Sequence, residues 1–182
     1  MITKPTTLIL GAGASAPFGF PTGYTLLQKA LGWGDVGDGK TNPTIFKWLG
    51  IDKQKLDSFR GALSRSGKKS VDSFLEHRPE FLDVGKAVIA LELITCERER
   101  ELFRRDGNSW YEYLFNELNT VFDDFDQNKL SILTFNYDRS LEHYLLTALQ
   151  HSYGKPIGEL RMKSKDCNDL LIDLARVLGA EL

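Results

Sequence analysis

The order of hydrophobic and polar residues along this chain predicts two strands among many helices. Residues 6–10 (TTLIL) and 130–135 (LSILTF) are short β-branched and aliphatic runs, and glycine or polar residues follow each of them. Such runs are typical of buried strands. A helical pattern follows each run, so the chain contains two strand–turn–helix units of the kind that builds an α/β sheet. Ligands bind such sheets at the carboxyl ends of the strands.

Between the two strands, apolar residues recur mainly at helical spacing. Serine, asparagine and proline at the starts of these segments are typical of helix N-termini. The pattern predicts helices at 24–31, 43–49, 52–64, 70–75, 79–105 and 109–122, and beyond the second strand at 139–150 and 167–178. A glycine-rich loop is expected over 32–42. We therefore predict a helix-rich α/β fold, with a Rossmann-like parallel sheet and a helical insertion over about 42–122, in one domain covering 1–182.

The turn after the first strand carries a glycine pattern that suits a phosphate. Gly11-Ala12-Gly13-Ala14-Ser15-Ala16 matches G-x-G-x-x-A, the alanine form of the dinucleotide-binding fingerprint. In that fingerprint Gly11 permits a tight turn, Gly13 lets the backbone approach a pyrophosphate, and a helix N-terminus faces the phosphate. The alternative interpretation is a plain strand-to-helix turn.

The glycine turn differs from that of an ordinary dehydrogenase. Pro17 and Gly19 interrupt the helix almost at once. The acidic residue that binds the ribose normally ends a second strand about 20 residues on, whereas Asp35 and Asp38 lie in a glycine-rich loop. A Rossmann dehydrogenase is therefore not favoured.

The second strand ends in alternating polar residues. Thr134, Asn136 and Asp138 lie on one side while the chain remains extended, at the strand end where a ligand would bind. We predict that Thr134 and Asn136 contact this ligand. For Asp138 two interpretations stay open, a residue of the site and an N-cap of the helix that begins near 139.

Composition and charge exclude several classes of protein. Hydrophobic residues make up 42% of the 182 residues and charged residues 26%, as in folded domains, so wholesale disorder is excluded. No apolar run approaches the roughly 20 residues of a membrane helix, and no secretory signal begins the chain, so we expect a cytoplasmic protein without a membrane partner. The formal net charge of −2 argues against a nucleic-acid partner.

Cysteine and histidine usage argues against a metal site. The two cysteines, Cys96 and Cys167, form no CxxC pair, and no HExxH motif occurs. A zinc ion held by four cysteines is therefore excluded, and catalytic zinc has little support. We expect no metal.

Two motifs together carry a resemblance to a known family. They are GAGAS at 11–15 with Gly-Phe-Pro at 19–21, and TFNYD at 134–138 with Ser-Leu-Glu at 140–142. This pair resembles the sirtuin-like superfamily, especially the bacterial sirtuin-like domains that hydrolyse NAD in antiphage defence. The helical segment SVDSFL at 70–75 is similar to the insertion of those domains. The resemblance covers residues 6–150.

The resemblance implies a ligand and roles for the motif residues. Four residues of the glycine turn would line the phosphates and ribose of NAD: Gly11, Ala12, Gly13 and Ser15. Asn136 would hold the nicotinamide ribose and help to activate its C1′ carbon or the attacking water, and Asp138 would orient this group. The implied reaction breaks the N-glycosidic bond to nicotinamide, which a polar pocket assists by stabilising positive charge on the ribose.

The resemblance also implies a histidine base. His151 follows Asn136 by fifteen residues, a spacing similar to that of sirtuins proper, and no histidine comes later in the chain. We predict His151 as this base. The alternative is an exposed residue at a helix C-terminus, where the helix dipole favours a cation. The absence of CxxC pairs favours NAD hydrolysis over protein deacylation.

Two other functions remain open at this point. One is a non-catalytic sensor of NAD or ADP-ribose, and the other is a protein-interaction module that assembles with itself or with a defence-system partner. A complete sirtuin-like domain would have more strands than the two predicted here. We therefore expect a minimal or truncated version of that domain.

Overall fold

The computed structural model describes residues 1–32, 43–105, 107 and 109–156. Most of the predicted glycine-rich loop at 32–42, and all of the predicted helix at 167–178 with Cys167, lie outside these residues. The described part contains two strands, β1 (Thr6–Leu10) and β2 (Leu130–Thr134). It contains eight α-helices: α1 (Gly23–Gly32), α2 (Pro43–Trp48), α3 (Lys53–Arg65), α4 (Val71–Leu75), α5 (Leu82–Cys96), α6 (Glu99–Leu102), α7 (Trp110–Glu117) and α8 (Ser140–Tyr153). The protein is thus helix-rich with a small parallel sheet, as predicted.

These residues form two compact units. The strand unit comprises the described residues of 1–19 and 98–156, and the helical unit comprises those of 20–97. The helices of the predicted insertion divide between them, because α2–α5 belong to the helical unit and α6 and α7 to the strand unit. Within the described segments, no helix has both the length and the hydrophobicity needed to cross a bilayer.

The two strands of the strand unit pair in parallel, from Thr6 opposite Leu130 to Leu10 opposite Thr134. Both predicted strands are confirmed. Leu130 and Ile132 are buried on one face of the pair. Because both strands run in the same direction and end opposite each other, the glycine turn lies beside the segment that follows β2.

Short polar side chains start several helices. Ser70 Oγ accepts a hydrogen bond from the Ser73 amide at 3.2 Å, and Ser109 Oγ accepts one from the Glu112 amide at 3.2 Å. The predicted starts of α4 and α7 are therefore confirmed. Helix α7 ends at Glu117 and a separate 3₁₀ helix covers Phe122–Gln127, so the prediction of one helix to about 122 is wrong. The prediction of one helix over 79–105 is also wrong, because α5 ends at Cys96, Arg98 is extended and α6 begins at Glu99.

The core of the helical unit is built from aromatic and aliphatic side chains of α1–α5. Phe59 of α3 is fully buried and makes edge contacts with Phe74 and Phe81, with ring centroids 5.9 Å apart in each pair. On α5 the buried face also includes Glu92, whose Oε2 lies 2.7 Å from Lys29 Nζ. A carboxylate is tolerated there because a cation of α1 neutralises it.

Candidate functional site

The glycine turn contains one short 3₁₀ helix, Ala12–Ala14, and a second, Ala16–Phe18, follows it. No α-helix begins at this turn. Pro17 has no amide hydrogen to donate, and Gly19 ends the second 3₁₀ helix in the left-handed region at φ +90°. The next α-helix is α1, which belongs to the helical unit. The expected α-helix N-terminus directly after the glycine turn is therefore wrong.

The two glycines of the turn are not required by the local backbone. Gly11 has φ −117° and ψ 178°, an extended conformation that any residue adopts, and Gly13 does not have positive φ. A Cβ added at either position would meet no atom within 4 Å. The fingerprint assigns Gly11 to a tight turn, but the observed backbone conformation does not require glycine at this position. A ligand that approaches the exposed backbone closely would explain both glycines.

Hydrogen bonds join the glycine turn to the end of β2. Ser15 Oγ donates to Asp138 Oδ2 at 2.7 Å and accepts from Asn136 Nδ2 at 3.3 Å. Ser15 is 1% exposed, so this contact is shielded from water. The backbone amide of Asn136 donates to Thr134 Oγ1 at 3.0 Å. The structure thus brings together four of the predicted site residues: Ser15, Thr134, Asn136 and Asp138.

Asp138 also binds the start of α8. Its Oδ1 accepts from the Ser140 amide at 3.1 Å and from the Ser140 hydroxyl. The Ser140 hydroxyl in turn lies 2.6 Å from Tyr111 Oη. Asp138 is not the N-cap of α8, which is Arg139, but one of its oxygens binds the first residue of the helix while the other binds Ser15.

Two aromatic residues of α7 contact the glycine turn and the 3₁₀ helix that follows it. Trp110 Nε1 donates to the Ala14 carbonyl at 2.7 Å, and the Tyr111 ring stacks on Phe18 with centroids 3.9 Å apart. Burial raises the pKa of the Tyr111 hydroxyl, so it remains a neutral donor or acceptor. These supporting residues were not predicted from the sequence. The tyrosine and tryptophan in the apolar stripe of α7 were the available signal, because buried Tyr and Trp need polar partners.

A small cavity of about 20 Å³ lies beneath the end of β2. Its lining includes Thr134, Asn136, Asp138 and Glu142. A cavity of that volume holds about one water molecule. Asn136 Oδ1 is buried and has no hydrogen-bond partner among the described residues. A water at this position would be held by polar groups of the same side chains that line the cavity.

Glu142→Gln is expected to raise the free energy of unfolding at about pH 7. Burial raises the pKa of the Glu142 carboxyl above its ordinary value, so the folded chain holds this proton more tightly than the unfolded chain does. The stability contributed by this group therefore falls as pH rises from the unfolded pKa through the folded pKa. Above the folded pKa, the ionised Glu142 carboxylate carries the full cost of its burial. A neutral glutamine side chain does not carry that cost.

Urea unfolding between about pH 4 and pH 7 measures this effect. The stability difference between Glu142→Gln and the wild-type chain should be largest at the higher pH and should shrink towards the lower. The exposed Glu117→Gln provides the matched control. A difference that stays constant with pH would contradict the prediction.

The histidine predicted as base lies away from this cluster. His151 is in the last turn of α8, about 16 Å along the helix axis from Ser140 at the rise of an α-helix. It is exposed and lines a separate groove with Phe103 and Tyr144. The structure therefore does not bring His151 to Asn136 and Asp138. His143, also on α8, is likewise exposed.

No group of three or more histidine, cysteine, aspartate or glutamate side chains is arranged for a metal ion in the part of the chain that the structure describes. The site is instead a hydrogen-bonded cluster of amide, hydroxyl and carboxylate groups. Comparison of the chain with protein-family models, with curated proteins and with solved structures finds no match to any of them.

Proposed function

We propose that the strand unit belongs to a Rossmann-like, sirtuin-like domain that binds NAD and hydrolyses it to nicotinamide and ADP-ribose, as a cytoplasmic effector of bacterial antiphage defence. One observation carries this proposal. Ser15 of the glycine turn bonds to both Asn136 and Asp138, which lie more than a hundred residues later in the chain. A plain turn and a plain helix cap would not need to share one buried hydroxyl. A cluster of polar groups at adjacent strand ends is the expected form of an α/β ligand site.

The exposed side of the glycine turn suits a dinucleotide. Gly11 and Gly13 leave the backbone accessible without a conformational or packing reason for glycine, which supports close approach of a pyrophosphate. Ala12 lies between them, and Thr134 lies on the adjacent strand. NAD, when bound, would supply the N-glycosidic bond that water breaks, releasing nicotinamide, ADP-ribose and a proton.

The residues near the reacting bond have different roles in this proposal. Asn136 is the group that contacts the ribose. Ser15 and Asp138 are positioning residues, because the Ser15 hydroxyl is buried and is already shared with Asp138 and Asn136. The proposal gives no role to His151, because that side chain lines another groove.

Asn136→Ala is expected to lower the rate of nicotinamide release from NAD by about 100-fold, the usual loss when a polar group that stabilises a transition state is removed. Release is measured by chromatography with the purified full chain. Asn119→Ala is the matched control, because Asn119 is exposed and lies outside the site. Its rate should equal that of the wild-type chain. A wild-type chain that releases no more nicotinamide than Asn136→Ala would reject hydrolysis.

A non-catalytic NAD or ADP-ribose sensor is the second candidate function. The position of His151 favours it, since neither described histidine of the strand unit is among the residues that line the cavity at Asn136. Calorimetry with NAD and ADP-ribose separates the two candidates. Binding without release of nicotinamide identifies a sensor, and the absence of binding to either nucleotide rejects both functions.

A further inference from the structure

A wide groove crosses the helical unit between α3 and the segment that connects α3 with α5. Its volume is about 1320 Å³. Lys53, Asp57, Gly61 and Arg65 recur every four residues on α3 and therefore share the face that forms one wall. We call this feature the basic groove.

The charges that line the basic groove are mostly positive and unpaired. Lys53 and Arg65 of α3 and Lys68 beyond it form no ion pair within the described segments. A fourth cation, Arg78, is neutralised by Glu80 at 2.6 Å. The lining contains one carboxylate, Asp57. The basic groove therefore attracts anionic groups at both ends of α3.

The floor of the basic groove distinguishes between anionic partners. Phe74 and Phe81 belong to the lining but are only 1% and 9% exposed, because their rings pack in the core. Bases of a single-stranded nucleic acid would find no aromatic surface on which to stack. Gly61 and Ala62 leave the middle of the groove free of bulky side chains. These features favour a binding partner that is a narrow chain and carries its negative charges on side chains.

We propose that the basic groove binds an acidic peptide segment of a partner protein. Lys53 and Arg65 are separated by twelve residues of helix, or about 18 Å. An extended peptide of about five or six residues covers the same distance. Its carboxylates pair with Lys53 at one end and with Arg65 and Lys68 at the other, and its smaller residues lie over Gly61.

The test uses the full chain and a fluorescein-labelled peptide of alternating glutamate and serine, followed by fluorescence anisotropy at low salt. Lys53→Glu/Arg65→Glu/Lys68→Glu should weaken binding by roughly tenfold or more, because three attractive charges become repulsive. The matched control reverses three exposed lysines outside the lining, Lys47→Glu/Lys86→Glu/Lys129→Glu, and should change binding by no more than about twofold. Circular dichroism verifies that both variants fold. If the first does not, Lys53→Gln/Arg65→Gln/Lys68→Gln replaces it.

Two further probes complete the test. A lysine–serine peptide should not bind, and added salt should weaken binding of the acidic peptide because the contacts are solvent-exposed. Equal loss of binding in the groove variant and its control would overturn the proposal. Groove-dependent binding of an oligothymidine of matched length that is tighter than that of the acidic peptide would also overturn it, in favour of a nucleic acid.

Discussion

Asp138→Ala is expected to lower the free energy of unfolding by about 4 kcal/mol, since hydrogen bonds to charged groups contribute about 1.5–3 kcal/mol each and several are lost together. The substitution removes the acceptor of the Ser15 hydroxyl and of both the amide and the hydroxyl of Ser140. Ser15 and Ser140 are only 1% and 4% exposed, so both hydroxyls lose their acceptor at a position shielded from bulk water. Under the proposed function, the rate of NAD hydrolysis should fall as well. Asp138 holds the Ser15 hydroxyl, and that hydroxyl in turn holds the Asn136 side chain.

Urea unfolding followed by circular dichroism measures the stability of the Asp138 variant. Asp138→Asn should recover only part of the loss, because its amide nitrogen donates where the native oxygen accepts. Asp126→Ala is the matched control at an exposed aspartate of the 3₁₀ helix, with an expected change within about 0.5 kcal/mol. A loss for Asp138→Ala as small as that of the control would show that Asp138 is not the central acceptor of the cluster.

Phe59→Ala is expected to destabilise the helical unit by about 3–5 kcal/mol, the usual cost of truncating a buried phenylalanine. Phe59 is 0% exposed, and its ring contacts Phe74 and Phe81. Alanine would leave a cavity among side chains contributed by α3 and by the segment that follows it. Phe59→Leu keeps most of the volume and should cost no more than about 1.5 kcal/mol.

Tryptophan fluorescence separates the two units in this experiment. Trp110 is the tryptophan of the strand unit, so a Trp33→Phe/Trp48→Phe background reports on that unit through Trp110 alone. Circular dichroism follows the helices of both units, and the helical unit contributes most of their residues. Phe59→Ala should shift the circular dichroism transition to lower urea, and Tyr24→Ala, at a position 67% exposed, should leave it within about 0.5 kcal/mol of the wild type. An unshifted transition for Phe59→Ala would contradict the prediction.

The strands and the main helices were predictable because their signals are local. Two aliphatic runs with glycine or polar ends identified β1 and β2, and serine caps identified the starts of α4 and α7. The convergence of Ser15, Asn136 and Asp138 was predictable only in outline. Parallel strands bring their carboxyl ends together, but no periodic pattern specifies that one serine hydroxyl bonds to both partners.

Features that depend on distant contacts were beyond such reasoning. Glu92 lies within the apolar run at 87–95, and nothing local in the sequence indicates that it is buried and neutralised by Lys29 of another helix. The spacing of His151 from Asn136 suggested one site, but α8 continues to Tyr153 and carries His151 away from its own N-terminus. Spacing along a chain does not fix distance when a helix of unknown length lies between two residues.

The parallel pairing of β1 with β2 determines the order in which the chain can fold during its synthesis. β1 leaves the ribosome before its partner, which begins at Leu130. The edge of β1 that pairs with β2 therefore has no partner strand while the intervening residues emerge. The helical unit, at 20–97, has emerged in full before that point, so its core can form without β2. The polar cluster at the strand ends cannot assemble until Ser140 has emerged, and a chain released before β2 would carry the glycine turn without its hydrogen-bond partners.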